Sequence, residues 1–235
     1  MATIRVWLHV LSQEVPANVL IDLLGNEGAT VGVRGTQKPY RSAGTVFAQN
    51  VWSKRLAEVE SLDVGAAVEA SNGQLHRDLR RVSSCHCRDD LEVRLSISVL
   101  DAFGQTIEFD IGKVFRQAMY QAGVEVDLDF PVGLLPPSLG VPTDEGEVLL
   151  GLSHPGQGVA GYRSLSNDMW EPLEAALSDH VQGNSRDIYG RNAFISVLVR
   201  GELFRPFLYL DAARFGALNQ SGIDNIHLEV GAVPQ

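Results

Sequence analysis

The chain has 235 residues, of which 45% are hydrophobic and 20% are charged, a balance typical of a globular protein that buries a core. Its 19 basic and 29 acidic side chains give a net charge of −10. This charge argues against nucleic-acid binding, which needs a basic patch to neutralise phosphates, and it permits a basic protein partner. No apolar run approaches the ~20 residues that span a bilayer, and the N-terminus carries no leader cleavage site. We therefore expect no membrane contact and a cytoplasmic location.

The first half of the sequence mixes strand and helix patterns. An apolar residue at every second position predicts a half-buried strand, and apolar spacing of three to four residues ended by glycine predicts a helix. Together these patterns predict a strand at 3–11, a helix at 15–24, strand-like pieces at 28–35 and 44–52, a helix at 63–82, strands at 91–100 and 107–111, a helix at 112–122 and a strand at 124–130.

A segment rich in proline and glycine follows. Residues 131–146 contain four prolines and three glycines, and such a stretch continues neither a helix nor a central strand. We therefore divide the chain into a first unit at 1–132, a linker at 133–146 and a second unit at 147–235. The second unit is predicted to hold strands at 147–153, 193–200, 204–210 and 223–230 and helices at 168–181 and 211–219.

The end of the chain repeats its middle. Residues 107–130 and 207–230 each consist of an apolar strand, a short helix and an alternating strand. The closing strands match at an offset of 100 residues, whereas Gly123 and Gly222 are 99 apart, so one residue has been inserted or lost. This repeat predicts an α+β fold of two tandem ferredoxin-like (split βαβ) units with antiparallel-rich sheets. In such units both helices cover one face of the sheet, and the other face is open to solvent or a partner.

Four short motifs give the first unit a family resemblance. They are IRVWLHV in the opening strand, VLIDLLG at 19–25, Arg34-Gly35 and Trp52-Ser53. Over about residues 3–130 the chain resembles a bacterial family of uncharacterised domains, seen among toxin-immunity-like and conflict-system proteins. The resemblance implies binding rather than catalysis, and it implies no catalytic or cofactor-binding residues.

Two rows of polar residues are candidates for partner binding. Glu125, Asp127 and Asp129 alternate with apolar residues on one strand, so their side chains share a face. His227 and Glu229 take the matching positions of the last strand. The favoured interpretation of these rows is a solvated sheet face; a surface for a basic partner, which makes them candidate binding residues, and a divalent-metal or acid–base site are the alternatives.

Cys85, His86 and Cys87 are candidate metal ligands, because thiolate and imidazole bind soft metals. A structural zinc site usually needs four ligands, and the chain has no second cysteine pair. Two cysteines this close do not form a disulfide framework, so the alternative is a pair of reduced cysteines at a helix-to-strand turn. We expect the chain to hold no metal.

Two further motifs have incomplete contexts. Gly156–Gly161 matches G-x-G-x-x-G, but six residues separate it from the next helical pattern. Ser153 lies in a sequence that differs from a nucleophile elbow by Pro155. Neither motif predicts a nucleotide site or a hydrolase.

The sequence as a whole favours a protein-interaction module, of the kind represented by an immunity-type inhibitor that binds a basic toxin or effector. Trp7 shares a strand face with Arg5 and His9, which makes it the candidate interface anchor. A small-molecule or metal-binding regulatory domain is the alternative, and an enzyme of unknown reaction is third. We expect no catalytic residue, no cofactor and no nucleic-acid partner.

Overall fold

The computed structural model has an α+β fold, as predicted. It describes residues 1–38, 45–102, 105–130, 132–133, 147–153, 160–164, 168–171, 173–175, 192–200, 203–204, 207–221 and 223–232. The helices are α1 (Ala17–Leu24), α2 (Val64–Ser83), α3 (Lys113–Ala122) and α4 (Ala212–Gln220), with a 3₁₀ turn at Arg88–Asp90 and further helical residues at 170–171 and 173–175.

The strands are β1 (Thr3–Ser12), β2 (Ala29–Gly32), β3 (Asn50–Glu60), β4 (Glu92–Leu100), β5 (Ile107–Gly112), β6 (Val124–Asp129), β7 (Val132–Gly133), β8 (Glu147–Ser153), β9 (Ala160–Ser164), β10 (Asn192–Arg200), β11 (Leu203–Phe204), β12 (Phe207–Leu210) and β13 (Asn225–Ala232). β3 begins later and extends further than the strand-like piece predicted at 44–52. Trp52, within β3, is fully buried, and its indole Nε1 donates a 2.7 Å hydrogen bond to the Gly25 carbonyl at the end of α1.

These strands form two mixed sheets. The first sheet has the strand order β12-β6-β4-β1-β3-β2, and the second has the order β5-β13-β10-β8-β9, while β7 pairs with β11 alone. β4 and β6 run parallel, as do β10 and β13, and the other neighbouring strands are antiparallel. Both sheets are therefore mostly antiparallel.

Strict alternation decides which face of the first sheet is buried. Along β1, Ile4, Val6, Leu8 and Val10 are fully buried, and alternate side chains of β4 continue the same apolar face. α1 contacts β3, and α2 contacts β1 and β3, so these helices cover that face. The remaining side chains of β1 and β4 point to the other face.

The strands β5 and β12 are exchanged between the two sheets. β5, from the first half of the chain, pairs antiparallel with β13, whereas β12, from the second half, pairs antiparallel with β6. Phe109 lies opposite Leu228, and Leu208 lies opposite Leu128. Positions 109 and 208 are 99 apart, and positions 128 and 228 are 100 apart. These are the two offsets of the sequence repeat, so the residues paired in one sheet correspond to the residues paired in the other.

This exchange corrects the predicted strand neighbours. Contrary to prediction, Ile107–Ile111 does not complete the first sheet, and Phe207–Leu210 does not lie in the second. The rows on β6 and β13 lie in different sheets. Alternation specifies the face of a strand but not its neighbour, because either sheet edge can satisfy the same backbone groups. The predicted linker at 133–146 lies outside the described residues apart from Gly133.

Buried side chains from both halves belong to one hydrophobic core. Phe109 and Phe130 from the first half and Phe215 from the second are almost completely inaccessible to solvent. Residues on either side of the predicted linker therefore share one apolar interior.

Arg116 joins α3 to the end of α4. Its side chain is fully buried, and its Nη1 donates a 3.1 Å hydrogen bond to the Leu218 carbonyl in the last turn of α4. Its Nη2 donates to the Ile223 carbonyl and, at 3.2 Å, to the Asp224 carbonyl. The last carbonyls of a helix lack partners within the helix, so these hydrogen bonds both stabilise the buried guanidinium and add to the capping of α4, whose Leu218 carbonyl also accepts from Ser221 Oγ.

We predict that Arg116→Met lowers the free energy of unfolding by about 2 kcal/mol, because it removes the side-chain donor of the Ile223 carbonyl and one of two donors to the carbonyls of Leu218 and Asp224. Urea unfolding followed by circular dichroism measures this loss. Val114→Ala is the matched control, since Val114 lies on the same helix with 82% of its surface exposed, and it should change stability by less than about 0.5 kcal/mol. Equal stability of the Arg116→Met variant and the parent would contradict the assigned role.

Candidate functional site

The face of the first sheet opposite α1 and α2 carries a row of polar side chains. Strand register places Ser96 opposite Trp7 on one side and next to Asp127 on the other. A second row contains Arg94, which lies between His9 and Glu125. The sheet therefore brings together Trp7 with the acidic residues predicted on β6.

Short side chains create a depression in this face. We call it the serine depression, and it is lined by Trp7, His9, Thr30, Ser53, Ser96, Ser98, Asp127 and Asp129. Its volume is about 470 Å³, and it is open to solvent on one side. The serines of β4 and β3 leave space between the larger side chains around them.

Arg94 neutralises part of the predicted acidic row. Its Nη2 lies 2.6 Å from Glu92 Oε1 and 3.3 Å from Glu125 Oε2. The guanidinium carbon also lies 5.5 Å from the ring centroid of Tyr209 on β12. Burial, followed by a hydrogen bond to Glu125, raises the pKa of the Tyr209 hydroxyl. Glu125 is thus engaged by two side chains of the protein itself.

Asp127 lies beside Ser96 at the edge of the depression. Burial raises the pKa of its carboxyl above the usual value, and the nearby positive charge of Arg94 opposes this shift only in part. A partly desolvated carboxylate gains more from a cationic ligand than a carboxylate in water does, because its charge is less well solvated.

His9 lines the opposite side of the depression. Its ring stacks on Trp7, with centroids 6.3 Å apart and planes 9° apart, and its Nδ1 lies 2.7 Å from Ser53 Oγ. Burial and the positive charge of Arg94 lower the pKa of His9 to about 4. The imidazole is therefore neutral near pH 7 and adds no positive charge to the depression.

The Ser53–His9 contact does not amount to a hydrolytic site. A nucleophile–base pair needs its histidine to accept a proton during the reaction, and burial beside Arg94 disfavours the charged imidazolium. Within the described part of the chain, no carboxylate hydrogen-bonds to the second nitrogen of His9.

The predicted residues His227 and Glu229 lie elsewhere, on β13 of the second sheet. His227 Nδ1 is 2.8 Å from Asp110 Oδ1 on β5, and its Nε2 is 3.6 Å from Glu229 Oε1. Burial alone would lower the pKa of His227. The hydrogen bond to Asp110 and the surrounding negative charges have the larger effect, so the pKa is raised. The structure therefore separates this cluster from the serine depression.

The predicted metal candidates Cys85 and Cys87 are joined by a disulfide, which corrects the expectation of two reduced cysteines. Bonded sulfurs are not thiolates, so in this state they lack the charge that binds soft metals. Among the described residues, no group of three His, Cys, Asp or Glu side chains is arranged to hold a metal ion. Most of the motif Gly156–Gly161 lies outside the described residues, and Ser153 ends β8.

Sequence reasoning missed much of the depression. Trp7, Asp127 and Asp129 were predicted site residues, whereas Ser53, Ser96 and Ser98 of the lining, and Arg94 and Tyr209 nearby, were not. The serines at every second position of β4 were the available signal, because small polar residues along a strand leave room on its surface. Tyr209 gave no such signal, since it reaches the site only through strand exchange.

No family model, curated protein or solved structure matches the chain. No helix that the structure describes is both long and apolar enough to cross a membrane. Inference about function therefore rests on the geometry and electrostatics of the chain itself.

The lowered pKa of His9 predicts a pH-dependent stability. Between about pH 4 and pH 6.5 the unfolded chain binds the proton and the folded protein does not, so stability is present above that window and is lost as the pH falls through it. The loss is at most about 3 kcal/mol. His9→Gln removes the titration and should flatten the curve of unfolding free energy between pH 7 and pH 4.5, measured by urea unfolding.

Other titrating groups near His9 do not affect the difference in pH-dependent stability between the parent and His9→Gln. Asp127, with a raised pKa, acts in the opposite direction, but it is present in both proteins and largely cancels in the difference. Parallel pH curves for the parent and His9→Gln would show that the folded protein does not hold His9 neutral.

Proposed function

We propose that the protein is a protein-interaction module whose serine depression receives a basic side chain of a partner protein. The observation that carries this proposal is the position of Trp7 and Asp127 on opposite sides of Ser96 in one row of the sheet. Adjacent strands lie about 4.8 Å apart, so two strand spacings leave roughly 10 Å between the backbones of Trp7 and Asp127. A lysine or arginine head group fits such a space.

The chemistry of the lining favours a cation. The face of an indole attracts ammonium and guanidinium groups, and the Asp127 carboxylate offers a charge-assisted hydrogen bond. Asp129 lines the same depression and adds a second carboxylate. His9, which is neutral at pH 7, contributes no repulsion.

The charge of the whole chain supports the same kind of partner. A net charge of −10 attracts basic proteins over distances longer than a direct contact and raises their association rate. An immunity-type inhibitor of a basic toxin or effector in the cytoplasm is the specific form of this proposal, and only the short sequence motifs within residues 3–130 favour it.

We further propose that the chain is a tandem duplication of a ferredoxin-like unit with one exchanged strand in each copy. The strand series β12-β6-β4-β1-β3 and β5-β13-β10-β8-β9 share one succession of antiparallel, parallel, antiparallel and antiparallel pairings. The common register of the two exchanged pairs supports this interpretation.

A small cationic compound is the second candidate ligand. The 470 Å³ of the depression fall within the range of about 300–1,000 Å³ that small-molecule sites occupy. Competition between free arginine and a peptide for the depression distinguishes a small-molecule ligand from a protein partner.

The test is a titration of the protein with a synthetic peptide rich in lysine and arginine. Trp52 and Trp170 are buried, so a ligand in the depression should change the fluorescence of Trp7. We predict that Asp127→Asn weakens binding about tenfold, because it removes one charge-assisted contact. Salt should also weaken binding to the parent by screening the charges.

Glu69→Gln is the matched control. It removes one negative charge from the exposed surface of α2, on the covered side of the sheet, and should leave affinity unchanged. Equal affinity of the parent and Asp127→Asn would exclude the depression as the binding site. If free arginine saturates the protein at the same concentration as the peptide does, the small-molecule alternative is favoured.

A further inference from the structure

The disulfide between Cys85 and Cys87 joins the only two cysteines of the chain across a single residue, His86. It lies in the turn that leads from α2 to β4, directly before the 3₁₀ turn at Arg88–Asp90. Cys85 and Cys87 are half-buried, and His86 is exposed. A reagent in solvent can therefore reach this turn.

The bond contributes little to the stability of the fold. A cross-link stabilises a protein mainly by restricting the unfolded chain, and this effect grows with the length of the closed loop. A loop that contains one intervening residue lies near the lower limit of this stabilisation. The turn is also held by backbone hydrogen bonds, from Cys85 N–H to the Val82 carbonyl and from Arg88 N–H to the Cys85 carbonyl, each 3.1 Å long. A structural role therefore does not account for the bond.

We propose that Cys85-His86-Cys87 is a thiol–disulfide exchange site whose substrate is a small thiol of the glutathione class. This inference is independent of the proposed binding function. Disulfides that solvent can reach are the ones that thiols reduce readily, and this bond lies in an accessible turn beside the exposed His86.

The surroundings of the two sulfurs assign different roles to them. Cys87 packs against the hydrophobic core, which restricts attack on its sulfur. The backbone N–H of Cys87 donates a 3.3 Å hydrogen bond to Cys85 Sγ, which stabilises the Cys85 thiolate that is present in the fully reduced protein. Cys85 is thus the sulfur that forms a bond with an external thiol.

The exchange proceeds in two balanced steps. An external thiolate attacks Cys85 Sγ, the Cys85–Cys87 bond breaks, and the Cys87 sulfur leaves as a thiolate, so that a mixed disulfide remains on Cys85. A second external thiolate attacks the external sulfur of this mixed disulfide and releases Cys85 as a thiolate. The two external thiols are oxidised to one disulfide, and the protein takes up the two electrons.

The first experiment incubates the native, oxidised full-length protein with reduced glutathione, followed by acid quenching, alkylation and mass spectrometry. We expect conversion to two free thiols without denaturant, and return to the disulfide with oxidised glutathione. Survival of the bond until denaturant is added would overturn the proposal. So would a protein with two free thiols that oxidised glutathione does not convert to an intramolecular bond.

Single variants test the assigned roles. Cys87→Ser retains Cys85 and should form a mixed disulfide with oxidised glutathione about tenfold faster than Cys85→Ser, its matched control. Faster formation of the mixed disulfide in Cys85→Ser would overturn the assignment of Cys85 as the sulfur that bonds to an external thiol.

The double variant Cys85→Ser, Cys87→Ser serves as the folding control. We expect it to melt within a few degrees of the parent, because the bond closes so short a loop. A large drop in melting temperature would overturn the proposal by making the disulfide a structural one.

Discussion

Backbone hydrogen bonds between β12 and β6, and between β5 and β13, tie the two halves of the chain into one structure. Each sheet ends in a strand that the other half of the sequence supplies. The apolar residues of these strands enter a common core, in which Phe109 and Leu208 are buried. Arg116 adds a polar connection at the same junction, since α3 from one half donates to carbonyls at the end of α4 from the other.

The candidate site depends on this exchange. Tyr209 reaches the first sheet only because β12 pairs with β6, where it lies opposite Asp127. Its ring contacts the Arg94 guanidinium, and Arg94 in turn lowers the pKa of His9 and opposes the raised pKa of Asp127. Electrostatics at the serine depression is thus set by residues from both halves of the chain.

The acidity of the protein does not translate directly into an acidic surface. Glu125 contacts Arg94 and Tyr209, whereas Asp127, two residues further along the same strand, lies in the serine depression. Two carboxylates of one strand, two residues apart, therefore differ in their availability to a ligand. His227 has its own partners in Asp110 and Glu229. Position in the sheet, rather than net charge, decides which acidic residue can bind a partner.

The sequence by itself determined the α+β class, most helices and strands, and the faces of the strands, because these follow from local periodicity and from glycines such as Gly123, which ends α3 with a φ of 60°. It also placed Trp7, Asp127 and Asp129 on the strand faces opposite the buried apolar residues, where all three are half-buried. Only the tertiary structure decided which strands are neighbours, since backbone pairing is nearly independent of side-chain identity. The exchange of β5 and β12 and the contact of Arg94 with Tyr209 both bring together groups that are far apart in the sequence, so only the folded chain makes them neighbours.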